Sequence, residues 1–551
     1  MNRHYFKKIA ALLTACSMTL GAFPLAGLAE EAEAAADAPL GVVDTAYGQA
    51  QGVAGELDGI TLFKGVPYAA PPVGDLRWAA PQDPEAWDGV RVFDTYAPMA
   101  MQWPNDMAGA PWETDFYYEG LPEYSEDCLY LNVATSATTG DEKMPVYVWF
   151  HGGGLNHGYS YELECDPEAL AQKGVVVVEV GHRLGVFGYM ALPQLDEETG
   201  YGASGNWGLM DEIKAIEWVV ENIEAFGGDP EHITVGGQSG GTSKSGALFA
   251  NDETAALLDG VIWQTSLQYN TAYKTVEEME ETSVNWLKTL GLSGDESLEE
   301  LRAMDAQVFL GEESLYGSGA PQSMVYDNHV IQYPTLKEAY EAGNFEGVNI
   351  LAGTDLGEFT QDTFADLQTA DDFYAYYKDM LGEELYSKYD FPHTCRVVDA
   401  TAEDTARVLN HSVFTVTDNM LFGKKAEEYN TGDVYIYLFT HFTPGRNEEE
   451  LWAWHSSELW YTFGSLRDTA GQRYWEDWDY KLADITTSYW SNFIKTGNPN
   501  GEGLPEWLSS NSEHLAYMDL GDESTLGCVT YMDSLKQMAA EYYAPSYEFA
   551  S

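Results

Sequence analysis

Three runs of mostly apolar residues constrain the fold of this chain more than any other feature of its sequence. They cover residues 145–150, 175–180 and 233–235. Runs without polar alternation are typical of strands covered on both faces, as in a parallel sheet. Between the second and third runs, apolar residues recur at helical spacing: Leu209, Ile213, Ile216, Val220 and Ile223. Strand, helix and strand in this order predict an α/β fold with a central, mostly parallel sheet flanked by helices.

The rest of the chain fits one domain built on that sheet. Further elements are expected in five places: short strands in residues 40–100, helices in 267–345, strands at 348–352 and 434–439, and a helix over 480–493. Gly291 and Gly294 are expected to interrupt the helical part, which is acidic and is interpreted as an insertion over the sheet. Since no clean linker divides these elements, we expect residues 40–551 to form a single domain.

The charge of the chain limits its partners. It carries 89 acidic and 27 basic residues, a formal net charge of −62. Nucleic acids and anionic membrane surfaces bind proteins through basic patches, so this charge argues against both as partners. It fits a highly soluble extracellular protein, and a field of this sign would also repel anionic substrates.

The N-terminus has the pattern of a secretory signal peptide. Three basic residues precede an apolar run over residues 9–25, and small residues at its end provide a cleavage site. We expect residues 1–29 to be removed, residues 30–39 to be a flexible leader, and the protein to be secreted. A bacterial lipoprotein box that ends at Cys16 gives a lipid anchor as the alternative. After residue 29, no segment of the sequence is long and apolar enough to span a bilayer.

Four cysteines follow the signal sequence: Cys128, Cys165, Cys395 and Cys528. In an oxidising compartment they could form up to two disulfides, whose pairing the sequence does not give. Four free buried thiols are an equal alternative in a protein with a large core. Because none of the four lies in a metal-ligand spacing, we expect no metal at these cysteines.

The pentapeptide Gly237-Gln238-Ser239-Gly240-Gly241 fits the Gly-x-Ser-x-Gly pattern of a nucleophile elbow. It follows the third apolar run and precedes a helix-capable segment, which is the strand–turn–helix setting that an elbow requires. The serine of an elbow lies in a strained turn, and small flanking residues permit that turn. Ser239 is therefore predicted to be a nucleophile, with an ordinary serine in a glycine-rich loop as the alternative.

A second glycine-rich segment, His151-Gly152-Gly153-Gly154, directly follows the first apolar run. Consecutive glycines let backbone N–H groups turn toward one point. In enzymes with such an elbow, that point is the oxyanion of the tetrahedral intermediate. We expect Gly152, Gly153 and Gly240 to donate to it, and a plain glycine turn is the alternative.

The base and the acid are harder to choose from the residues alone. An elbow triad has the chain order serine, acid, histidine. Among the histidines after Ser239, local sequence does not separate His455 from His441. Glu358 lies just beyond the fourth predicted strand, where catalytic groups gather in open α/β sheets, and Asp355 is the alternative in the same loop.

These motifs resemble those of the type-B carboxylesterase family, which includes the cholinesterases. Seven further segments between residues 40 and 540 carry the resemblance: FKGVPYA (63–69), PPVGDLR (71–77), EDCLYLN (126–132), GNWGLMD (205–211), FGGDP (226–230), YWSNF (489–493) and TGNPNG (496–501). The resemblance implies a single α/β-hydrolase domain. It also implies that the family's acid falls on Glu358 and its histidine on His455. Two structural ion pairs are implied as well: Arg77 with Glu126, and Arg183 with Asp211.

The sequence departs from the family at three positions. The family usually has Glu before the serine and Ala after it, where this chain has Gln238 and Gly240. The loss of a charge at Gln238 leaves the hydrogen bonding near the nucleophile open. The family's usual cysteine partner of Cys128 would fall at Ala100, so that disulfide is not expected.

Together these features predict a serine carboxylic-ester hydrolase. It would act on a small-molecule ester through a Ser-His-Glu triad and an acyl-enzyme, without metal or cofactor. By resemblance, four aromatic residues could line the substrate pocket and favour apolar or aromatic esters, with plain packing as the alternative: Trp103, Trp112, Tyr117 and Tyr118. The rival functions are a non-catalytic binding protein on the same fold and the same triad acting on thioester, lactone or amide bonds.

Overall fold

A large, mostly parallel sheet organises the computed structural model, which describes residues 38–103, 115–117, 120–265, 267–311, 319–358, 364–445, 452–467 and 473–549. The strands are β1 (Val43–Thr45), β2 (Gly48–Gln51), β3 (Val53–Ala54), β4 (Thr61–Pro67), β5 (Val90–Val92), β6 (Met99–Ala100), β7 (Tyr124–Ser125), β8 (Tyr130–Thr135), β9 (Met144–Phe150), β10 (Val176–Val180), β11 (Gly228–Gln238), β12 (Gly260–Gln264), β13 (Asn349–Asp355), β14 (Val434–Phe439), β15 (Tyr517–Leu520) and β16 (Gly527–Val529).

Eleven of these strands form the main sheet, in the order β16-β15-β14-β13-β12-β11-β9-β10-β8-β4-β3. The pairs from β10 through β9 and β11 to β15 are parallel, whereas β16 and the strands beyond β10 pair antiparallel. The helix predicted between the second and third apolar runs joins β10 to β11 and carries the chain across β9. This confirms the predicted parallel sheet with a helical crossover.

The apolar runs form strands because the sheet is covered on both faces. In β9, Val146, Val148 and Phe150 lie in one buried cluster, whereas Tyr147 and Trp149 lie in the cluster on the other face. The same division runs along β14. Side chains alternate between the two faces of a strand, so two apolar faces remove the polar alternation from the sequence.

The helices are α1 (Glu168–Gln172), α2 (Gly185–Tyr189), α3 (Pro193–Thr199), α4 (Trp207–Asn222), α5 (Gly240–Ala247), α6 (Asp252–Ala255), α7 (Val276–Thr289), α8 (Leu298–Ala303), α9 (Gln307–Leu310), α10 (Leu336–Ala342), α11 (Ala370–Lys388), α12 (Phe391–Thr394), α13 (Ala402–Leu409), α14 (Val416–Ala426), α15 (Leu459–Thr462), α16 (Asp477–Thr496) and α17 (Ser534–Tyr547). A π-helical turn, Asn410–Thr415, joins α13 to α14. Helix α16 begins three residues before and ends three after the helix predicted from the sequence.

The acidic insertion is helical, as predicted. Three of its helices begin with a capping box, in which a hydroxyl and a carboxylate bind each other's backbone N–H: α7 with Thr275 and Glu278, α8 with Ser297 and Glu300, and α10 with Thr335 and Glu338. Gly291 and Gly294 follow α7 with φ of 82° and 89°, so they end the helix where breaks were expected. Part of the acidic surplus is therefore used at helix N-termini, where negative charge is favourable.

Two ion pairs fix the segments around the sheet. Arg77 binds Glu126 through two bonds of 2.6 and 2.7 Å, and Arg183 binds Asp211 through two bonds of 2.8 and 2.7 Å. All four side chains lie largely out of solvent. Both pairs were expected from the resemblance. Each is a bidentate arginine–carboxylate pair, which holds the segments around the sheet in place.

Cys128, Cys165, Cys395 and Cys528 are free thiols, so neither of the two disulfides that the sequence allowed is formed. Three are buried and Cys528 is half-buried. Within the described ranges, no helix combines the length and apolar character needed to cross a bilayer.

Candidate active site

Ser239 lies in a sharp turn between β11 and α5. Its φ of 54° and ψ of −121° are unusual for a residue with a side chain. A Cβ on Gly237 would come within 2.3 Å of the Gly241 backbone, and one on Gly241 within 2.1 Å of the Phe150 carbonyl oxygen. The turn therefore requires glycine on both sides of Ser239, which is the geometry of a nucleophile elbow.

The glycine-rich loop after β9 packs directly against this elbow. A Cβ on Gly152 would lie 3.6 Å from the Ser239 Cβ, and one on Gly240 would lie 2.1 Å from the Gly154 carbonyl oxygen. Gly153 has φ of 78°, a conformation that glycine adopts without strain. The structure thus brings Gly152, Gly153 and Gly240 close to Ser239.

His455 and Glu358 meet at the carboxyl end of the sheet. The His455 Nδ1 forms a hydrogen bond with the Glu358 Oε2. The other carboxylate oxygen of Glu358 accepts from the Asp355 N–H at 3.2 Å and from the Thr354 hydroxyl at 3.3 Å. Burial would raise the pKa of Glu358, but the charge and hydrogen bond of His455 lower it overall. Glu358 is thus held as a carboxylate beside the imidazole.

The alternative acid and base have other partners. Asp355 accepts the Ser456 N–H at 3.1 Å, and burial followed by the charges of Glu458 and Glu358 raises its pKa well above the usual value. His441 binds Asp479 and Asp522 at 2.8 and 2.7 Å. Glu358 and His455 therefore bind each other, whereas the alternative acid, Asp355, and the alternative base, His441, bind other groups.

A narrow cavity of about 50 Å³ brings several of the predicted residues together. Ser239, His455, Gly152 and Gly153 line it, together with Gln238. The Gln238 side-chain amide donates to the Thr265 hydroxyl at 3.1 Å and lies 3.4 Å from the His455 Nε2. The residue that replaces the family's glutamate is therefore a neutral neighbour of the imidazole.

The four aromatic residues proposed for the pocket differ in their placement. Tyr117 lines the cavity, and its hydroxyl donates to Glu162 at 2.8 Å. Trp103 instead packs with the cluster around Trp286, and its indole N–H donates to the Leu310 carbonyl. Trp112 and Tyr118 lie outside the described residues.

Several residues at the site were missed by sequence reasoning. Phe116 lines the cavity next to Tyr117, and Glu162 and Glu164 also form part of the lining. Burial and then the Glu162 charge raise the pKa of Glu164 well above its usual value, while the pKa of Glu162 is raised to about 6 by its own burial. For the two glutamates, only their position shortly after the glycine-rich loop could have indicated a place at the site.

His411 is a further residue at the site, where it interacts electrostatically with Glu358 and His455. It is buried in the π-helical turn, and burial lowers its pKa to about 4 although the Glu358 charge opposes this. Such turns are frequent at functional sites.

In the part of the chain that the structure describes, no group of three His, Cys, Asp or Glu side chains is arranged to hold a metal ion.

Comparison with known proteins gives a consistent result. The sequence model of the Carboxylesterase family matches residues 40–550. The fumonisin B1 esterase of Sphingopyxis macrogoltabida is 31% identical, with 88% of this chain and 87% of that protein aligned. The para-nitrobenzyl esterase of Bacillus subtilis strain 168 is also 31% identical, over 88% of this chain and 96% of its own.

Solved structures agree. A carboxylesterase of Geobacillus stearothermophilus, 29% identical, superposes with a TM-score of 0.70 over 90% of this chain and 99% of its own. A thermophilic PNB esterase gives a TM-score of 0.70 at 28% identity, over 91% of this chain and 99% of its own. The α/β-hydrolase fold predicted from the sequence is confirmed.

Proposed function

This chain belongs to the carboxylesterase family and is a carboxylic-ester hydrolase, and from that premise we propose that it acts through Ser239, His455 and Glu358. The observation that carries the proposal is the bond between His455 Nδ1 and Glu358, made beside the cavity that Ser239 also lines. A histidine whose Nδ1 is bound in this way has Nε2 as the ring nitrogen that can accept the serine proton.

In the acylation step, the Ser239 hydroxyl oxygen attacks the ester carbonyl carbon while the His455 Nε2 accepts the hydroxyl proton. Glu358 holds the Nδ1–H tautomer and stabilises the imidazolium that forms. The carbonyl oxygen becomes an oxyanion, which the N–H groups of Gly152, Gly153 and Gly240 bind. Collapse of this intermediate breaks the ester C–O bond, and His455 protonates the leaving alcohol.

Deacylation repeats the same steps with water as the nucleophile. His455 takes a proton from water, the hydroxide attacks the acyl carbon, and a second oxyanion forms in the same place. Return of the proton to the Ser239 oxygen releases the carboxylic acid. Each step uses groups of the chain itself.

The test is hydrolysis of p-nitrophenyl acetate by the wild type and by Ser239→Ala. We expect the variant to lose about 10⁶ in kcat, to the background rate, because the nucleophile is absent. Ser243→Ala, on the next turn of the same helix and outside the cavity lining, is the matched control and should keep full activity. Activity that survived in a folded Ser239→Ala would refute the assignment.

We further propose that the substrates are neutral esters with an apolar or aromatic group. Tyr117 and Phe116 form an aromatic wall of the cavity, and two carboxyl groups, Glu162 and Glu164, lie beside them. Aromatic walls favour flat apolar groups. An anionic substrate would be repelled by Glu162, which is ionised above its pKa of about 6, and by the net charge of −62.

Secretion is also proposed, with residues 1–29 as a cleaved signal peptide and residues 40–551 as the catalytic domain. The support is the sequence pattern of the N-terminus. Mass spectrometry of protein from the culture medium of the source organism should give Glu30 as the first residue. Protein in the membrane fraction with a lipid-modified Cys16 would contradict secretion and would indicate a lipid-anchored protein.

A further inference from the structure

We propose that Lys244 is a positioning residue for ester hydrolysis, because its ammonium group binds the carbonyl oxygens of the two peptide units whose N–H groups are assigned to the oxyanion. This inference rests on the proposed function of Ser239 and of the glycine-rich loop. Lys244 does not touch the cavity itself. It would act through the backbone of the loop.

The contacts of the ammonium group are specific. The Lys244 Nζ donates to the His151 carbonyl oxygen at 2.7 Å and to the Gly152 carbonyl oxygen at 3.3 Å. Lys244 lies on α5, five residues after Ser239, and its side chain is completely buried. The helix that begins at the nucleophile thus also carries the group that holds the loop.

Peptide geometry connects these contacts to the oxyanion. The His151 carbonyl shares a peptide unit with the Gly152 N–H, and the Gly152 carbonyl shares the next unit with the Gly153 N–H. In a planar trans peptide the C=O and N–H bonds point in opposite directions. A donor that fixes both carbonyls on one side therefore fixes both N–H groups on the other side.

The ammonium charge also strengthens the two N–H groups. A hydrogen bond to a carbonyl polarises its peptide unit, and hydrogen bonds in a chain reinforce each other in a medium of low dielectric. A fixed positive charge behind the loop also favours the negative charge that develops in the transition state. This contribution needs no movement during the reaction.

A purely structural explanation accounts poorly for this lysine. A buried ammonium group loses its hydration, and carbonyl oxygens compensate only in part. An apolar side chain of similar length would fill the same space without that cost. Inside α5 the other buried residues are small or uncharged, so Lys244 is the exception that needs an explanation.

The groups that act on Lys244 determine when it is charged. Burial lowers the pKa of Lys244 to about 8, although the charges of Glu212 and Glu162 oppose this. Burial raises the pKa of Glu212 to about 8. Three buried histidines near Lys244 have lowered pKa values, chiefly through burial, and stay neutral above pH 7: His151, His157 and His182. Between pH 7 and 9, the titrating groups of this set are therefore Lys244 and Glu212.

The experiment compares Lys244→Met, which has no donor and no charge, with Lys244→Gln, which keeps a neutral donor. Active sites are first titrated with a fluorophosphonate, so that misfolded enzyme is not counted. We expect Lys244→Met to lower kcat per titrated site by about 10- to 100-fold, less than the loss of a direct donor. KM should change by no more than about twofold, and Lys244→Gln should be intermediate.

The inhibition constant of a transition-state analogue is a measurement that a purely structural role of Lys244 would not change. A trifluoromethyl ketone forms a hemiketal: the Ser239 oxygen bonds to the ketone carbon, His455 takes the proton, and the ketone oxygen becomes the oxyanion. Its inhibition constant should rise by the same factor as kcat falls. An exposed lysine, Lys378, gives the matched control Lys378→Met, which should change neither value.

The pH profile tests the charge itself and uses the wild type. The value of kcat per site should fall as the pH rises through about 8, because deprotonation removes the ammonium charge. In Glu212→Gln this limb should move to lower pH, and in Lys244→Gln it should disappear. Unchanged kcat per site and unchanged inhibitor affinity in both Lys244 variants would overturn the proposal. Failure of the triad itself would instead appear as activity in Ser239→Ala.

Discussion

Trp454 and Gly357 form a parallel β-bridge, each one residue before a proposed member of the triad. The Gly357 N–H also donates to the Ala453 carbonyl oxygen at 2.7 Å. The loop that carries Glu358 and the loop that carries His455 are therefore joined by backbone hydrogen bonding. The contact between acid and base does not depend on the side chains alone, and such support is what a preorganised site requires.

This relationship makes the acid testable by a change that keeps its shape. In Glu358→Gln, the amide fits the same space but no longer stabilises an imidazolium. We expect kcat to fall about 10²- to 10⁴-fold with little change in KM. Asp355→Asn is the control, since asparagine can still accept the Ser456 N–H. A larger loss in Asp355→Asn than in Glu358→Gln would show that the acid is misassigned.

The close approach of the loop to the elbow gives a second prediction. The family's usual alanine at position 240 would place a Cβ 2.1 Å from the Gly154 carbonyl oxygen. Gly240→Ala should therefore displace the loop and lower kcat about 10²- to 10³-fold, the loss expected when an oxyanion donor is misplaced. Gly41→Ala, at an open position, should leave kcat unchanged. If Gly240→Ala kept full activity, the loop would have to be free to move away.

Much of this architecture could be predicted because the sheet is buried on both faces. Strands β9, β10 and β14 are nearly uniform apolar runs, and each was expected within one residue of its observed bounds. Strand β11 is different. Only residues 233–235 were predicted, whereas the strand covers Gly228–Gln238. At its C-terminal end, Gly236, Gly237 and Gln238 pair with neighbouring strands, and the register with β9 shifts between Gly228 and Ile233, neither of which a local apolar pattern reveals.

The site was predicted unevenly for a related reason. The elbow and the glycine-rich loop are continuous in sequence, so their spacing carries information. Glu358 and His455 are 97 residues apart, so no local spacing links them; the family resemblance pointed to both, and in the structure their side chains are bonded to each other. Lys244 was missed because its role depends on which carbonyl groups face α5. That is a property of the packing, and no motif records it.

His441 provides a prediction about stability. Burial disfavours its charged form, but the hydrogen bonds and charges of Asp479 and Asp522 raise its pKa overall. A folded-state pKa above the unfolded value gives stability that is present at low pH and is lost as the pH rises through the folded-state pKa. His441→Gln should therefore lower the free energy of unfolding by about 1–3 kcal/mol at pH 5.5 and by less at pH 8.5. Urea unfolding at both values measures this, and an equal loss at both would contradict it.

The aromatic wall is tested at Tyr117. Tyr117→Ala removes the ring, whereas Tyr117→Phe removes only the hydroxyl that binds Glu162. We expect Tyr117→Ala to raise KM about 2- to 10-fold for phenyl esters and to leave KM for ethyl esters nearly unchanged, because ring contacts are lost. Tyr117→Phe should keep the discrimination. Equal changes in KM for both ester classes would show that Tyr117 does not contact the substrate's aromatic group.

At Glu164 we expect a contribution to stability that is lost as the pH rises, the opposite of the pH dependence at an acid paired with a base. Its pKa is raised well above the usual value, by burial first and then by Glu162, so the folded protein holds it protonated while the unfolded chain ionises it. Its contribution to stability is therefore present below the unfolded-state pKa and is lost as the pH rises. Glu164→Gln, which keeps the shape without a titrating proton, should unfold at a higher temperature than the wild type at pH 8, with a smaller difference at pH 5. The exposed Glu502→Gln should show neither effect. If Glu164→Gln were less stable than the wild type at pH 8, Glu164 would have to be ionised and paired in the folded protein.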